Sequence, residues 1–187
     1  MTALLEVPQI RERFSPLSVA EYHQLGEFNE HGRRTELIRG IVIEKMAKSP
    51  LHYYMIEKLR AILRAQIPPG WVLRQEGPLT LADSEPEPDL CILPGSLETF
   101  HRAHPVSAEW AIEVAVSSLE IDRIKAMIYA EAGVREYWIV CPEQRQVEVY
   151  RQPGPRGYAE CSVVAAPLVL ESLAVAGMAV DLGALFA

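Results

Sequence analysis

The 187-residue chain predicts an α/β protein with a mixed β-sheet flanked by helices. Two observations lead to that class. Residues 90–93 and 110–116 are apolar on both faces, as central strands of a helix-covered sheet are. Leu51, Met55, Leu59, Ile62 and Leu63, and later Ile121, Ile124 and Ile128, recur at helical spacing, which supplies a helix for each side of the sheet.

Taken in order, Ser18-Val19-Ala20-Glu21 is a capping-box pattern that opens a short helix ending near Gly26. Asn29-Glu30-His31-Gly32 reads as a loop. Residues 36–38 and 41–46, separated by Arg39-Gly40, read as a β-hairpin with a glycine turn. Ser49-Pro50 joins an N-cap to a proline in the first helical turn. The long helix it opens runs to about Ile67, where Pro68-Pro69-Gly70 stops it. Strands are expected at 71–74, 79–81, 90–93 and 110–116. Ser117-Ser118-Leu119-Glu120 is a second capping box, opening a helix through Ala132 that Gly133 closes. Strands at 136–140 and 146–150 share a short polar turn, and 152–157 is expected as a loop. A last pair of strands and a short helix around 182–186 finish the chain.

A hydrophobic fraction of 49% and a charged fraction of 23% fit a soluble globular protein, and the length fits one domain, 1–187, with a real core. No apolar run approaches the roughly 18–20 residues that span a bilayer, so no membrane partner is expected. The segment from Met1 to Pro8 lacks a basic start and a long apolar stretch, so a secretory leader is not expected. Cys91, Cys141 and Cys161 match no Cys-x-x-Cys spacing and are odd in number, which fits reduced thiols in a cytoplasmic protein. The net charge of −7 excludes a grip on nucleic acid by overall charge alone. The basic residues Arg33, Arg34, Arg39, Lys45, Lys48, Lys58, Arg60 and Arg64 are a local exception, but read first as a solvated surface.

Chemistry concentrates in three segments. Pro86-Glu87-Pro88-Asp89-Leu90 and Ala111-Ile112-Glu113-Val114 each set a carboxylate on or beside a core-like strand. Burying a carboxylate is costly unless it is paired or binds a metal. If the strands are neighbours, Asp89 and Glu113 face one cleft and share a hard divalent cation such as Mg²⁺, which activates water. Asp89 also reads as a strand-edge residue, and Glu113 as half of a buried ion pair with Lys125. On the following helix Asp122, Lys125 and Tyr129 form a stripe at i, i+3 and i+7 beside the isoleucines. Lys125 there polarises water or stabilises charge on a phosphorane-like transition state; otherwise it is an exposed lysine paired with Asp122 or Glu120. Asp122 is expected as a solvated carboxylate favoured by the helix N-terminus. Glu36 offers a third carboxylate, or is a strand-edge glutamate. His52, in the first turn of the long helix, is expected in solvent or packed on the helix, with contact to a phosphate or to the site as the alternative. His101 and His104 have no zinc partners, and no histidine is placed to activate Ser117 or Ser118.

Several segments in their order resemble a known family: Glu36-Leu37-Ile38-Arg39-Gly40, Pro86-Glu87-Pro88-Asp89-Leu90, Ile112-Glu113-Val114 with Ser117-Ser118-Leu119, Asp122-Arg123 with Lys125 and Tyr129-Ala130, and Gly133-Val134 with Glu136-Tyr137-Trp138-Ile139-Val140. Together, from about Phe14 to the C-terminus, they resemble the Uma-type family of endonucleases. The resemblance implies the restriction-endonuclease-like fold of the PD-(D/E)XK superfamily. It implies Asp89 and Glu113 as metal ligands for Mg²⁺ or Mn²⁺, Lys125 as the catalytic lysine, Glu36 as an auxiliary acid, and a homodimer. The superfamily pattern places its lysine two residues after the second acid, where this chain has Ala115; a lysine on the helix, at Lys125, is similar to the family's own arrangement. The function so implied is metal-dependent hydrolysis of DNA phosphodiester bonds. A nuclease-fold binding or assembly module without cleavage is the competing expectation, favoured by the acidic net charge. A small-molecule metallohydrolase would need a closed pocket too narrow for a duplex.

Overall fold

The computed structural model describes residues 7–26, 32, 34–45 and 47–187. Met1 to Glu6, the Asn29-Glu30-His31 part of the expected loop, Arg33 and Met46 lie outside the described residues. After a one-turn helix, α1 (Pro8–Arg11), comes α2 (Val19–Gly26), whose capping box forms as expected. Ser18 N donates to Glu21 Oε2 at 2.8 Å and Glu21 N donates to Ser18 Oγ at 3.2 Å. β1 (Thr35–Ile38) and β2 (Ile41–Glu44) are the expected hairpin. Its turn residues Arg39 and Gly40 have φ of 53° and 74°, the positive values a two-residue turn needs to match the strand twist. α3 (Pro50–Arg64) begins at Ser49, which accepts from His52 N. It stops short of Ile67 because Pro68 and Pro69 have no N–H to continue it and Pro68 disfavours a helical Ile67, so the last turn tightens with Gln66 N donating to Leu63 O at 2.9 Å. The Gln66 side chain donates to Ile62 O and Ala179 O and accepts from Ala179 N.

Six strands form the main sheet in the order β3 (Trp71–Gln75), β4 (Leu90–Pro94), β5 (Trp110–Val114), β6 (Glu136–Cys141), β7 (Gln146–Gly154) and β8 (Gly157–Ala165). Neighbours are antiparallel except β5 and β6, which are parallel. α4 (Leu119–Glu131) makes the crossover that a parallel pair requires. β9 (Val169–Glu171) and β10 (Ala179–Asp181) pair separately and lead into α5 (Leu182–Leu185).

The period-2 alternation of the strands divides the core. Ile92, Trp110, Ile112, Val114 and Trp138 face α3 and the C-terminal elements, with the two indoles edge to face at 4.4 Å between centroids. Cys91, Leu93, Ala111, Ala115, Tyr137 and Ile139 face α4 through Ala126 and Tyr129. Asp89 and Glu113 share the parity of this second set, so the α4 face is the one that receives them. The expected helix on each side of a mixed sheet is therefore present.

Four local expectations give way. Residues 79–81 join no ladder: Leu79 N donates to Pro86 O, Thr80 N to Pro105 O and Leu81 N to Ser84 O, each to a different loop position. That loop carries the β1–β2 hairpin instead, since Glu85 N donates to Leu37 O and Gly40 N to Asp83 O. β5 ends at Val114 rather than 116. The second capping box does not form: the N-cap is Ser118, which makes no side-chain cap bond and donates its hydroxyl to Asp122 Oδ2 at 2.6 Å. The expected loop at 152–157 is a hairpin, with Pro153 paired opposite Tyr158 and Gln152 absorbing the irregularity at a φ of 58°.

Not every buried carboxylate here belongs to a site. Glu136, 1% exposed, accepts from Trp138 Nε1, the Arg151 guanidinium, Ser172 Oγ and the backbone N–H groups of Leu173 and Ala174. It fastens the loop after β9 to β6. Glu136→Gln turns one acceptor into a donor facing donors. It is expected to lower stability by about 2 kcal/mol in urea titration while leaving Mn²⁺ binding unchanged.

Candidate active site

Asp89 precedes β4 and, by continuation of the Leu90–Ile112 register, lies opposite Glu113 on β5. The two are bonded through the backbone: Asp89 N donates to Glu113 Oε2 at 3.1 Å, and Val114 N donates to Asp89 Oδ2 at 2.8 Å. Lys125, from α4, brings its Nζ to 3.0 Å from Glu113 Oε1 and 2.9 Å from Glu36 Oε2. Asp122 Oδ1 is 4.0 Å from the same Nζ. Tyr129 donates its hydroxyl to Glu113 Oε1 at 3.1 Å. Glu36 arrives on the hairpin and accepts from Glu87 N at 2.7 Å, and Lys45 Nζ lies 3.4 Å from it. All four expected site residues, Glu36, Asp89, Glu113 and Lys125, are thus brought together, each 6% exposed or less. They line a cleft of about 120 Å³ together with Lys45, Lys48, His52 and Ile121.

The orientation of α4 overturns one expectation. Asp122, Lys125 and Tyr129 form its buried stripe, whereas Ile124 is 59% exposed. Asp122 is not a solvated helix-end charge, and Lys125 is not an exposed lysine. The helix faces a pair of buried carboxylates, and a cation with hydrogen-bond donors offsets the desolvation of those carboxylates where isoleucine does not. His52 also departs from its first expectation: its Nε2 is 3.2 Å from Asp89 Oδ2, and its Nδ1 is buried without a partner. Its position follows from the Ser49 cap, which aims the first turn of α3 at the cleft. The i, i+3, i+7 spacing of Asp122, Lys125 and Tyr129 was the signal for the polar stripe. His101 and His104 stay in the loop after β4, away from the cleft.

Burial opposes charge on every member, and the partners decide the outcome. Against that burial, Lys125, Lys45 and the Glu87 N–H hold the Glu36 carboxyl below the usual range. His52, the Val114 N–H and Lys125 do the same for Asp89. Burial alone would neutralise Lys125, but Glu113, Glu36 and Asp122 keep its ammonium protonated far above the ordinary range. Burial pushes Glu113 well above the usual carboxylate range, opposed by Lys125 and reinforced by Asp89, Asp122 and Glu36. Burial pushes Asp122 up to about 6, against Lys125 and its Ser118 bond.

A pH dependence follows from these directions. Asp122 titrates near 4 when unfolded and near 6 when folded, so its ionisation opposes folding above that window. The opposition is relieved as pH falls through the window, and Glu113 acts in the same sense. Glu36 and Asp89 act oppositely, but lose their contribution only at and below the usual carboxylate range. Metal-free protein is expected to gain about 1–3 kcal/mol on acidification from about pH 7 to about pH 5, read as a rising urea midpoint. A midpoint that falls over that interval contradicts the assignment.

The six-stranded mixed sheet, with its parallel pair at the centre and helices on both faces, has the restriction-endonuclease-like fold of α/β protein. The family described as "Uma2: Putative restriction endonuclease" matches residues 19–183, and the chain belongs to that family. Among solved structures, one titled a putative nuclease belonging to DUF820, from Anabaena variabilis ATCC 29413, superposes with a TM-score of 0.76 at 19% identity, covering 91% of this chain and 98% of that one. At that identity the likeness establishes the fold alone. No curated protein matches the chain. Among the described residues, no helix is long and apolar enough to cross a membrane.

Proposed function

We propose that the chain is an Mg²⁺- or Mn²⁺-dependent endonuclease that hydrolyses DNA phosphodiester bonds, with 1–187 as a single restriction-endonuclease-like domain acting in the cytoplasm. The homodimer is part of the proposal and rests on the family alone. The observation that carries the reading is the register of Asp89 against Glu113, with Lys125 Nζ 3.0 Å from Glu113. Family membership supports the nuclease class.

Asp89 and Glu113 are the residues that would hold the ion. Among the described residues no three His, Cys, Asp or Glu side chains converge on one ion position. That suits Mg²⁺, which keeps several waters and takes one or two carboxylates plus substrate phosphate. A carboxylate has about four lone-pair positions. Glu113 accepts from Lys125, Tyr129 and Asp89 N, and Asp89 from Val114 N and His52, so both retain acceptor capacity. The ion, when bound, supplies an activated water and offsets charge on the phosphate. Lys125 is held as a cation and is no base; it stabilises the negative charge that grows on the phosphoryl oxygens. Glu36 fixes the Lys125 ammonium from the hairpin side. Tyr129 fixes Glu113, and His52 fixes Asp89.

The competing reading, a module of nuclease fold without cleavage, draws on the acidic net charge and on the ion pair Glu113 already makes. Nicking of supercoiled DNA in Mn²⁺, wild type beside Asp89→Asn, separates the two. Cleavage that the substitution removes supports the endonuclease; metal binding without cleavage by wild type favours the module.

A further inference from the structure

An alternating series of ion pairs runs from the cleft floor to its rim. Glu113 meets Lys125, Lys125 meets Glu36, and Glu36 meets Lys45. From there Lys45 meets Glu87 at 3.1 Å, Glu87 meets Arg34 at 3.1 Å, Arg34 meets Glu76 at 3.7 Å, and Glu76 pairs with Lys48. The inner half belongs to the proposed catalytic group, and the outer half does not. Arg34, Lys45 and Lys48 come from the segments flanking the β1–β2 hairpin, and Lys45 and Lys48 line the same cleft as Asp89 and Glu113. Glu76 follows β3, and Glu87 precedes β4.

Glu76 and Glu87 are not ordinary surface acids. Glu76 has a φ of 48°, a left-handed conformation that side-chain-bearing residues seldom adopt and that concentrates near functional sites. Its N–H donates to Asp89 O at 3.2 Å, which ties it to the strand bearing the first acid. Glu87 lies between Pro86 and Pro88, on chain that proline holds extended. Both carboxylates are 20% exposed, beside Lys45 at 17% and Lys48 at 25%. Lys45 and Lys48 are thus matched to resident carboxylates more than to water, while Arg34, half exposed, closes the series at the rim.

We propose that Arg34, Lys45 and Lys48 form a subsite for a DNA backbone phosphate flanking the scissile bond, and that Glu76 and Glu87 occupy it until a phosphate displaces them. The inference rests on the reading of the cleft as a DNA-cleaving site. The exchange is between like ligands: the guanidinium fork accepts carboxylate or phosphate, and each lysine binds either as a point charge. The basic residues of the first third then act as a masked cluster, which reconciles a DNA substrate with a net charge of −7.

The test is the Glu76→Gln/Glu87→Gln variant of the full chain, read by anisotropy of a short labelled DNA duplex in EDTA over a salt series. Freed cations release counterions on binding, so affinity at low salt is expected to rise about tenfold and the log–log salt slope to steepen by about 2. Each single substitution gives part of the gain, so the outcome does not depend on the double variant. Adding Lys45→Met and Lys48→Met removes the gain. Glu143→Gln/Glu171→Gln changes net charge equally at exposed positions elsewhere and brings no comparable rise. An unchanged affinity, a gain that survives loss of both lysines, or an equal gain in that control overturns the subsite. Wild-type cleavage in Mn²⁺ is scored separately: its absence defeats the catalytic reading, while the affinity series still decides the subsite.

Discussion

Asp89→Asn is expected to abolish Mn²⁺ binding in calorimetric titration and to slow DNA cleavage by about a thousandfold or more, with the fold intact. The substitution removes a negative charge from the pair that would hold the ion and changes little else. An Asn carbonyl still accepts from Val114 N, the bond Asp89 makes at 2.8 Å. His52 loses a charged partner but keeps a polar one. The variant therefore separates charge from shape. Glu113→Gln is a less clean version of the same test. Lys125, Tyr129 and Asp89 N all donate to Glu113, so an amide there faces a donor with a donor whichever way it turns. Metal binding retained by Asp89→Asn, with wild-type cleavage, removes the proposed ligand pair.

Lys125→Ala is expected to abolish cleavage and also to lower stability by about 3–5 kcal/mol near pH 7. From sequence alone, this variant, like the Asp89 and Glu113 ones, is expected to keep its fold. Burial changes that expectation. Lys125 is 4% exposed and lies among Glu36, Glu113 and Asp122, so its removal leaves buried carboxylates without their shared cation. The loss should shrink toward about pH 5, because the orphaned acids then take up protons instead of bearing charge. Adding Glu36→Gln to Lys125→Ala should recover part of the stability and none of the activity, a coupling that a double-mutant cycle measures directly. A Lys125→Ala protein as stable as wild type at neutral pH would show that the ammonium does not hold this cluster.

Much of the site was legible in the chain because strand periodicity is a local property. Asp89 shares parity with Cys91 and Leu93, and Glu113 with Ala111 and Ala115, so a single fact, that the strands are neighbours, places both acids on one face. The helix was legible in extent but not in orientation. Its isoleucines suggest one apolar face, yet the inward side takes Asp122, Lys125 and Tyr129 together with Ile128, while Ile124 is left in solvent. Hydrophobic spacing ranks faces by greasiness, and cannot register that the opposing sheet presents two buried carboxylates that need a cation. His52 reads first as a solvated or helix-packing residue for the same reason, since its partner Asp89 lies 37 residues away.

The sequence by itself determined four of the five described α-helices, the hairpin turn at Arg39-Gly40, the apolar central strands and the presence of Asp89 and Glu113 at their ends, because helical periodicity, turn chemistry and alternation act over a few residues; the one-turn helix at Pro8–Arg11 carried no such signal. Only the tertiary structure decided that Lys125 points inward, that Glu36 reaches it across 89 residues, and that Asp122 is buried rather than solvated. Those outcomes depend on which charges desolvate together, an energy set by the whole assembly of sheet, helix and hairpin and not by any one segment.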